Sequence, residues 1–190
     1  MPLNLPNLLT WFRIVMIPVV VGVFYLPDGW LSHSDRNLVA CVTFTAAAIT
    51  DWLDGYLARR LNQMSAFGAF LDPVADKLMV AAALIMLVEL ERVSAVIAVI
   101  IIGREIAISA LREWMAQIGE AKSVAVNLLG KIKTVAQLVA IPMLLYHDRI
   151  PPYFSPQFVG TWLIYIAAAL TLISMLYYMK LAGPSASRHG

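Results

Sequence analysis

Long apolar stretches dominate this chain and leave it few ways to fold. They fall at about residues 8–26, 37–60, 67–90, 93–113, 130–147 and 158–181. Each is long enough for a helix across a bilayer, which takes about 20 residues. Turn-prone or charged segments separate them: Pro27-Asp28-Gly29, Leu61 to Ser65, Glu89 to Arg92, Gln117 to Lys122, and His147 to Pro156. None of the stretches alternates as a strand does, and only helices or closed barrels satisfy the backbone within lipid. The expected fold is therefore all-α, a polytopic membrane protein built as a bundle of six transmembrane helices. Composition closes the alternatives. The chain is 61% hydrophobic and 14% charged, against about 45–50% and about 25% for soluble domains. So much apolar surface excludes a compact soluble domain and, equally, a disordered chain. A single membrane domain over residues 1–182 and a flexible tail over 183–190 account for the whole length.

Cations orient the bundle. With both termini cytoplasmic, Arg59, Arg60, Arg104, Arg112, Lys122, Lys131, Lys133, Lys180 and Arg188 fall on the cytoplasmic side, and only Arg36, Arg92 and Arg149 on the other. That asymmetry favours cytoplasmic termini. Trp30, Tyr153, Phe154 and Trp162 are placed to anchor the far interface. No basic region precedes the first apolar run, and Arg13 lies within it, so that run is expected to be a retained span and not a cleaved leader. Pro18 and Pro142 are expected to kink their helices. The stretch from Leu3 to Leu9 reads equally as a short interfacial helix or an extension of the first span. Cys41 stands alone and reads as a packing residue.

The informative residues are acids within spans. Asp51 and Asp54 lie near the end of the second stretch, Asp72 and Asp76 near the start of the third. An Asp at the centre of a membrane helix costs about 2.5–3.5 kcal/mol; nearer the interface the cost is smaller but still needs a cause. On a helix with Asp51 at 0°, Asp54, Gly55, Ala58 and Arg59 fall at about −60°, 40°, −20° and 80°, one broad face. Gly68, Asp72 and Asp76 form a second stripe. Asp51 and Asp76 both lie about 12 Å from the turn between the helices, Asp54 and Asp72 about 6–8 Å. Four carboxylates are thus expected to face each other in two layers across one helical hairpin. They cannot all ionise without compensating charge. Two divalent cations with oxygen ligands would supply it and form a recurring device for phosphoryl transfer. Gly55, Ala58 and Gly68 would let a ligand approach the backbone. Two other readings are weaker: a structural ion-pair cluster using Arg59, Arg60 and Lys77 fails on count and direction, since Lys77 points about 100° from Asp76 and Arg60 about 100° from Arg59, and an ion or proton pathway is the second. The absence of mid-span acids from the first, fifth and sixth stretches weighs against a pathway.

The run Asp51-x2-Asp54-Gly55-x2-Ala58-Arg59-x8-Gly68-x3-Asp72-x3-Asp76 resembles the signature of the CDP-alcohol phosphatidyltransferase family at every specified position. Further strings extend the resemblance over nearly the whole chain. Pro6-Asn7 with Leu9-Thr10 and Arg13, Arg104-Glu105-Ile106 through Arg112-Glu113-Trp114, and Gly130 to Thr134 with Gln137 are similar to the bacterial branch that makes phosphatidylglycerophosphate. The resemblance implies an enzyme of phospholipid biosynthesis in the bacterial cytoplasmic membrane, usually a homodimer, with its site facing the cytoplasm. It implies transfer of the phosphatidyl group from CDP-diacylglycerol to sn-glycerol 3-phosphate, with release of CMP and use of Mg²⁺ or Mn²⁺. It further implies that Asp51, Asp54 and Asp72 bind metal, and that Asp76 is the general base and also touches metal. Asp51, Asp54, Gly55, Ala58, Arg59 and Gly68 would hold the CDP-lipid. The partners implied are the two substrates and membrane lipids, with no nucleic acid.

The residues fit this chemistry. Attack on an activated pyrophosphate needs positioning and charge neutralisation more than a protein nucleophile. His33, His147 and His189 fall in loops or the tail, and no Ser-His or Cys-His pair is placed for covalent catalysis. An acceptor carrying phosphate needs a basic pocket, for which Arg104, Arg112, Lys131 and Lys133 are the candidates. The same four also read simply as positive-inside topology with attraction to anionic lipid. Glu105 is placed to orient Arg112. Inositol phosphate, serine or phosphatidylglycerol would be alternative acceptors for the same chemistry. Intramembrane prenyltransferases also use aspartate-rich motifs with Mg²⁺, but on longer chains with two separated clusters.

Overall fold

The computed structural model describes residues 5–27, 29–61, 66–119, 128–148 and 154–189. Among these, six α-helices follow one another: α1 (Leu5–Gly22, continued by a 3₁₀ turn over Val23–Tyr25), α2 (His33–Leu61), α3 (Ala66–Glu89), α4 (Ala95–Gln117), α5 (Leu128–Tyr146) and α6 (Pro156–His189). The described residues form no strand. Local chemistry sets several helix ends. Ser32 and Asp35 make a reciprocal cap at the start of α2, the Asp35 amide donating to Ser32 Oγ at 3.1 Å and that hydroxyl donating to Asp35 Oδ2 at 2.7 Å. The Ser94 side chain accepts from the Ile97 amide and caps α4. Gly119 follows α4 at φ +82°, a left-handed stop that favours glycine.

Among the described residues, two helices, over Leu8–Tyr25 and Pro156–Lys180, are long and apolar enough to cross a membrane. The other four carry charges within their length. Their outward faces are nonetheless apolar: Val42 and Ile49 on α2, Leu78 and Ile85 on α3, and Val99 and Ile106 on α4 are all exposed. An apolar exterior suits lipid, and the chain is membrane-associated. Inside, Val20, Phe44, Leu84, Leu87, Ile101, Ile141, Leu144 and Ile164 form one buried core drawn from all six helices.

Among the described residues, helix α1 packs extensively on both α2 and α3, so it lies against both arms of the hairpin. The most extensive packing is between α5 and α6. It depends on Gly160, where an added Cβ would lie 2.9 Å from Leu144 Cγ, 3.1 Å from Met143 Cβ and 3.2 Å from the Ala140 carbonyl oxygen.

At the end of the bundle away from the acids, Arg92 ties three elements together. It donates to the Leu144 and Leu145 carbonyls at the end of α5 and to Asn37 Oδ1 on α2. Asp148 accepts from Ser34 at 2.7 Å. His147 sits beside this clamp with φ +57°. Burial, and secondarily the Arg92 charge, push its imidazole below the usual histidine range.

Among the described residues helix α1 starts at Leu5, and Leu3 and Asn4 of the N-terminal stretch lie outside them. Residues 183–189 continue α6.

Candidate active site

The acidic site has three walls, not two. Arg13 of α1 pairs with Asp51 of α2 at 2.7 Å, and Thr10, one turn earlier on α1, donates its hydroxyl to Asp72 of α3. Both α1 residues are buried. A small cavity of about 20 Å³ is lined by Arg13, Asp51 and Asp76 together with Phe44, Ala47 and Met79. Asp51 and Asp76 thus line one cavity. The Arg13 guanidinium supplies compensating charge there, from a helix outside the hairpin.

Asp54, Gly55, Ala58 and Arg59 lie on α2, and their surroundings fall outside the described residues. Gly68 is buried on α3. Among the described residues no three acidic, histidine or cysteine side chains converge as a metal cluster. The donor chemistry of the cavity nonetheless fits a hard divalent cation: Asp51 and Asp76 offer carboxylate oxygens, and among the described residues no histidine or cysteine lines it.

A second, larger cavity of about 280 Å³ opens beside the first and shares Asp76 with it. Its walls carry Lys77, Arg104, Arg112 and Lys133, with Glu105, Ser109 and Thr134 between them. Arg104 and Lys133 are nearly fully buried, which costs too much for cations serving only to orient the protein in a membrane. Glu105 pairs with Lys133 and lies 3.7 Å from Arg104. Its partners are thus these two residues, not Arg112 as the helix spacing suggested. Arg112 instead donates to the Tyr178 hydroxyl on α6 at 3.1 Å. Of the four basic candidates, the fold gathers Arg104, Arg112 and Lys133 with Asp76. Lys131 faces elsewhere, exposed on an apolar groove with Ile132, Val135 and Val139. The cause is helical: two residues rotate a side chain by about 200°, so Lys131 and Lys133 cannot share a face.

The family model for CDP-alcohol phosphatidyltransferase matches residues 3–173. The chain belongs to the CDP-alcohol phosphatidyltransferase family. Similar curated relatives are the proteins named CDP-diacylglycerol–glycerol-3-phosphate 3-phosphatidyltransferase from Salmonella choleraesuis (strain SC-B67) and Shigella flexneri, each 50% identical over 96% of both chains. The protein of that name from Escherichia coli (strain K12) is 49% identical over the same share. Members of the CDP-alcohol phosphatidyltransferase family use divalent metals, in keeping with the oxygen donors described above.

Sequence reasoning missed what α1 and α6 contribute. Arg13 was visible as a cation inside an apolar run, but its partner depends on which helix wedges beside α2. Ser174 and Tyr178 carried no signal beyond being polar groups on an apolar helix.

Proposed function

We propose that this chain transfers the phosphatidyl group of CDP-diacylglycerol to sn-glycerol 3-phosphate, giving phosphatidylglycerophosphate and CMP. One observation carries the reading: Asp76 is common to a carboxylate cavity and to a basic cavity sized for a small phosphorylated alcohol. The names of the relatives at about 50% identity over 96% of the chain support the same substrates.

In this reading Arg104, Arg112 and Lys133 hold the phosphate of the acceptor, which directs its free hydroxyl toward Asp76. The Asp76 carboxylate takes the hydroxyl proton. The acceptor oxygen then forms a bond to the lipid-side phosphorus of CDP-diacylglycerol, the bond from that phosphorus to the CMP oxygen breaks, and CMP leaves. Asp51, Asp54, Asp72 and Asp76 would hold two divalent cations, Mg²⁺ or Mn²⁺, which when bound neutralise charge on the pyrophosphate and on departing CMP. Asp51, Asp54, Gly55, Ala58, Arg59 and Gly68 form the CDP-lipid side of the site.

The protein spans the bacterial cytoplasmic membrane six times, with both termini and the active site on the cytoplasmic side, and works as a homodimer among membrane lipids. The apolar outward faces of α2, α3 and α4 and the asymmetric placement of Lys and Arg support that topology. Residues 1–182 form the membrane domain.

Purified protein given CDP-diacylglycerol, Mg²⁺ or Mn²⁺ and a panel of alcohols tests the assignment by CMP release. Release is expected with glycerol 3-phosphate, well above serine, inositol phosphate or phosphatidylglycerol, and chelation should abolish it. No release with glycerol 3-phosphate would sink the acceptor assignment.

A further inference from the structure

Helix α6 buries a polar stripe. Thr171, Ser174 and Tyr178 are each fully buried, at spacings of three and four residues that place them on one face. Fully buried hydroxyls on a membrane helix are costly unless they serve a partner. For Ser174 and Tyr178 those partners are the arginines of the basic cavity, and Thr171 contributes its backbone carbonyl. Ser174 Oγ accepts from an Arg104 terminal nitrogen at 2.9 Å and donates to the Thr171 carbonyl at 3.0 Å, which points its lone pairs at the guanidinium. Tyr178 serves both arginines. The Arg104 and Arg112 guanidinium carbons lie 5.8 Å and 5.2 Å from its ring centroid, within cation–π reach. Its hydroxyl accepts from Arg112. Ile108, Met115 and Met175 pack around the ring and fix it in turn.

Arg104 and Arg112 are eight residues apart on α4, more than two turns. One aromatic ring from another helix spans that distance and holds two like charges at one end of a single cavity. Neither Ser174 nor Tyr178 lines that cavity, so both act through the arginines. Arg112 spends only one terminal nitrogen on α6, and the other donors of its fork remain for an anion.

We propose that Tyr178 is a positioning residue, seconded by Ser174, that preorganises Arg104 and Arg112 as a two-pronged receptor for the acceptor phosphate. This rests on the reading of the basic cavity as the acceptor site. Preorganisation lowers the cost of ordering two long side chains when the phosphate arrives. Its loss weakens acceptor binding and leaves the CDP-lipid side untouched.

The test is steady-state kinetics of the full-length protein with each substrate varied in turn, alongside thermal unfolding. Tyr178→Phe keeps the ring and removes the acceptor oxygen; KM for glycerol 3-phosphate should rise about five-fold. Tyr178→Leu removes both, and the rise should reach about 20-fold. In Tyr178→Phe, KM for CDP-diacylglycerol and kcat should stay within about two-fold, as preorganised binding requires. Equal rises for both substrates, or a lowered kcat with unchanged KM for glycerol 3-phosphate, would mean that Tyr178 only supports the fold and would overturn the proposal. Arg112→Ala separates the two levels. If it raises KM for glycerol 3-phosphate and Tyr178→Phe does not, the proposal falls and the acceptor site stands. If neither changes that KM, both fall. Should Tyr178→Leu fail to fold, Tyr178→Phe decides alone.

Discussion

Arg13 of α1 and Asp51 of α2 form an unequal pair: at 2.7 Å separation the guanidinium is 1% exposed and the carboxylate 45%. Removing either partner should therefore have different consequences. Arg13→Met keeps the volume and leaves a carboxylate that water can reach, costing about 1 kcal/mol. Asp51→Asn takes the charge of its ion-pair partner from a buried guanidinium and should cost more, about 3 kcal/mol. Unfolding in detergent without divalent cations measures both. A larger loss for Arg13→Met would contradict this asymmetry.

Asp76 joins the two cavities, and its substitution should separate binding from chemistry. Asp76→Asn is nearly isosteric but cannot accept the proton of an alcohol. Turnover should fall by about 10²–10⁴-fold, the range for loss of a general base. KM for glycerol 3-phosphate should change by no more than a few-fold, since the arginines remain. Single-turnover CMP release with both substrates saturating gives the comparison, and near-normal release would remove Asp76 from this role.

The contact of α5 with α6 closes at Gly160, where two of the three nearest atoms to an added Cβ are a Cβ and a carbonyl oxygen that cannot swing aside. Gly160→Ala should destabilise by about 1–3 kcal/mol, the cost of overpacking. Gly103 on α4 has no atom within 4 Å of an added Cβ. Gly103→Ala should therefore be neutral or slightly stabilising, by up to about 1 kcal/mol. Melting temperatures of the two variants provide the check, and equal shifts would be unexpected.

His147 gives a pH dependence of defined sign. Burial and Arg92 lower its folded-state pKa, so the unfolded chain binds its proton first as pH falls. Stability should be at its full value above about pH 6.5, the unfolded value. It should decline below that pH until the folded state protonates as well. His147→Asn tolerates the same left-handed backbone and should flatten this part of the stability profile. An unchanged slope between pH 7 and pH 5 would assign the dependence to another group.

Much of the fold was legible because apolar run length reports helices directly. The stretch at 37–60 became α2 (His33–Leu61) and that at 67–90 became α3 (Ala66–Glu89), within a few residues. Helical rotation alone also set Asp51 and Asp76 at one depth, and they line one cavity. The same rotation, applied to Lys131 and Lys133, would have kept them apart; grouping them by their shared interface missed it. Glu105 was harder to place. Its spacing from Arg112 favours contact along α4, but Lys133 of α5 reaches the same carboxylate, and no pattern within one helix reports a neighbour from another.

The division follows from what each kind of information can encode. Hydrophobic length and the 100° turn per residue are properties of one segment, so the sequence by itself determined the helices and the acid-bearing faces of α2 and α3. Which helix stands beside which depends on side-chain fit summed over the whole core, and only the tertiary structure decided that. It wedged α1 against α2 and α3 and brought Arg13 to Asp51. It also laid the buried hydroxyls of α6 against α4, where Tyr178 meets Arg104 and Arg112.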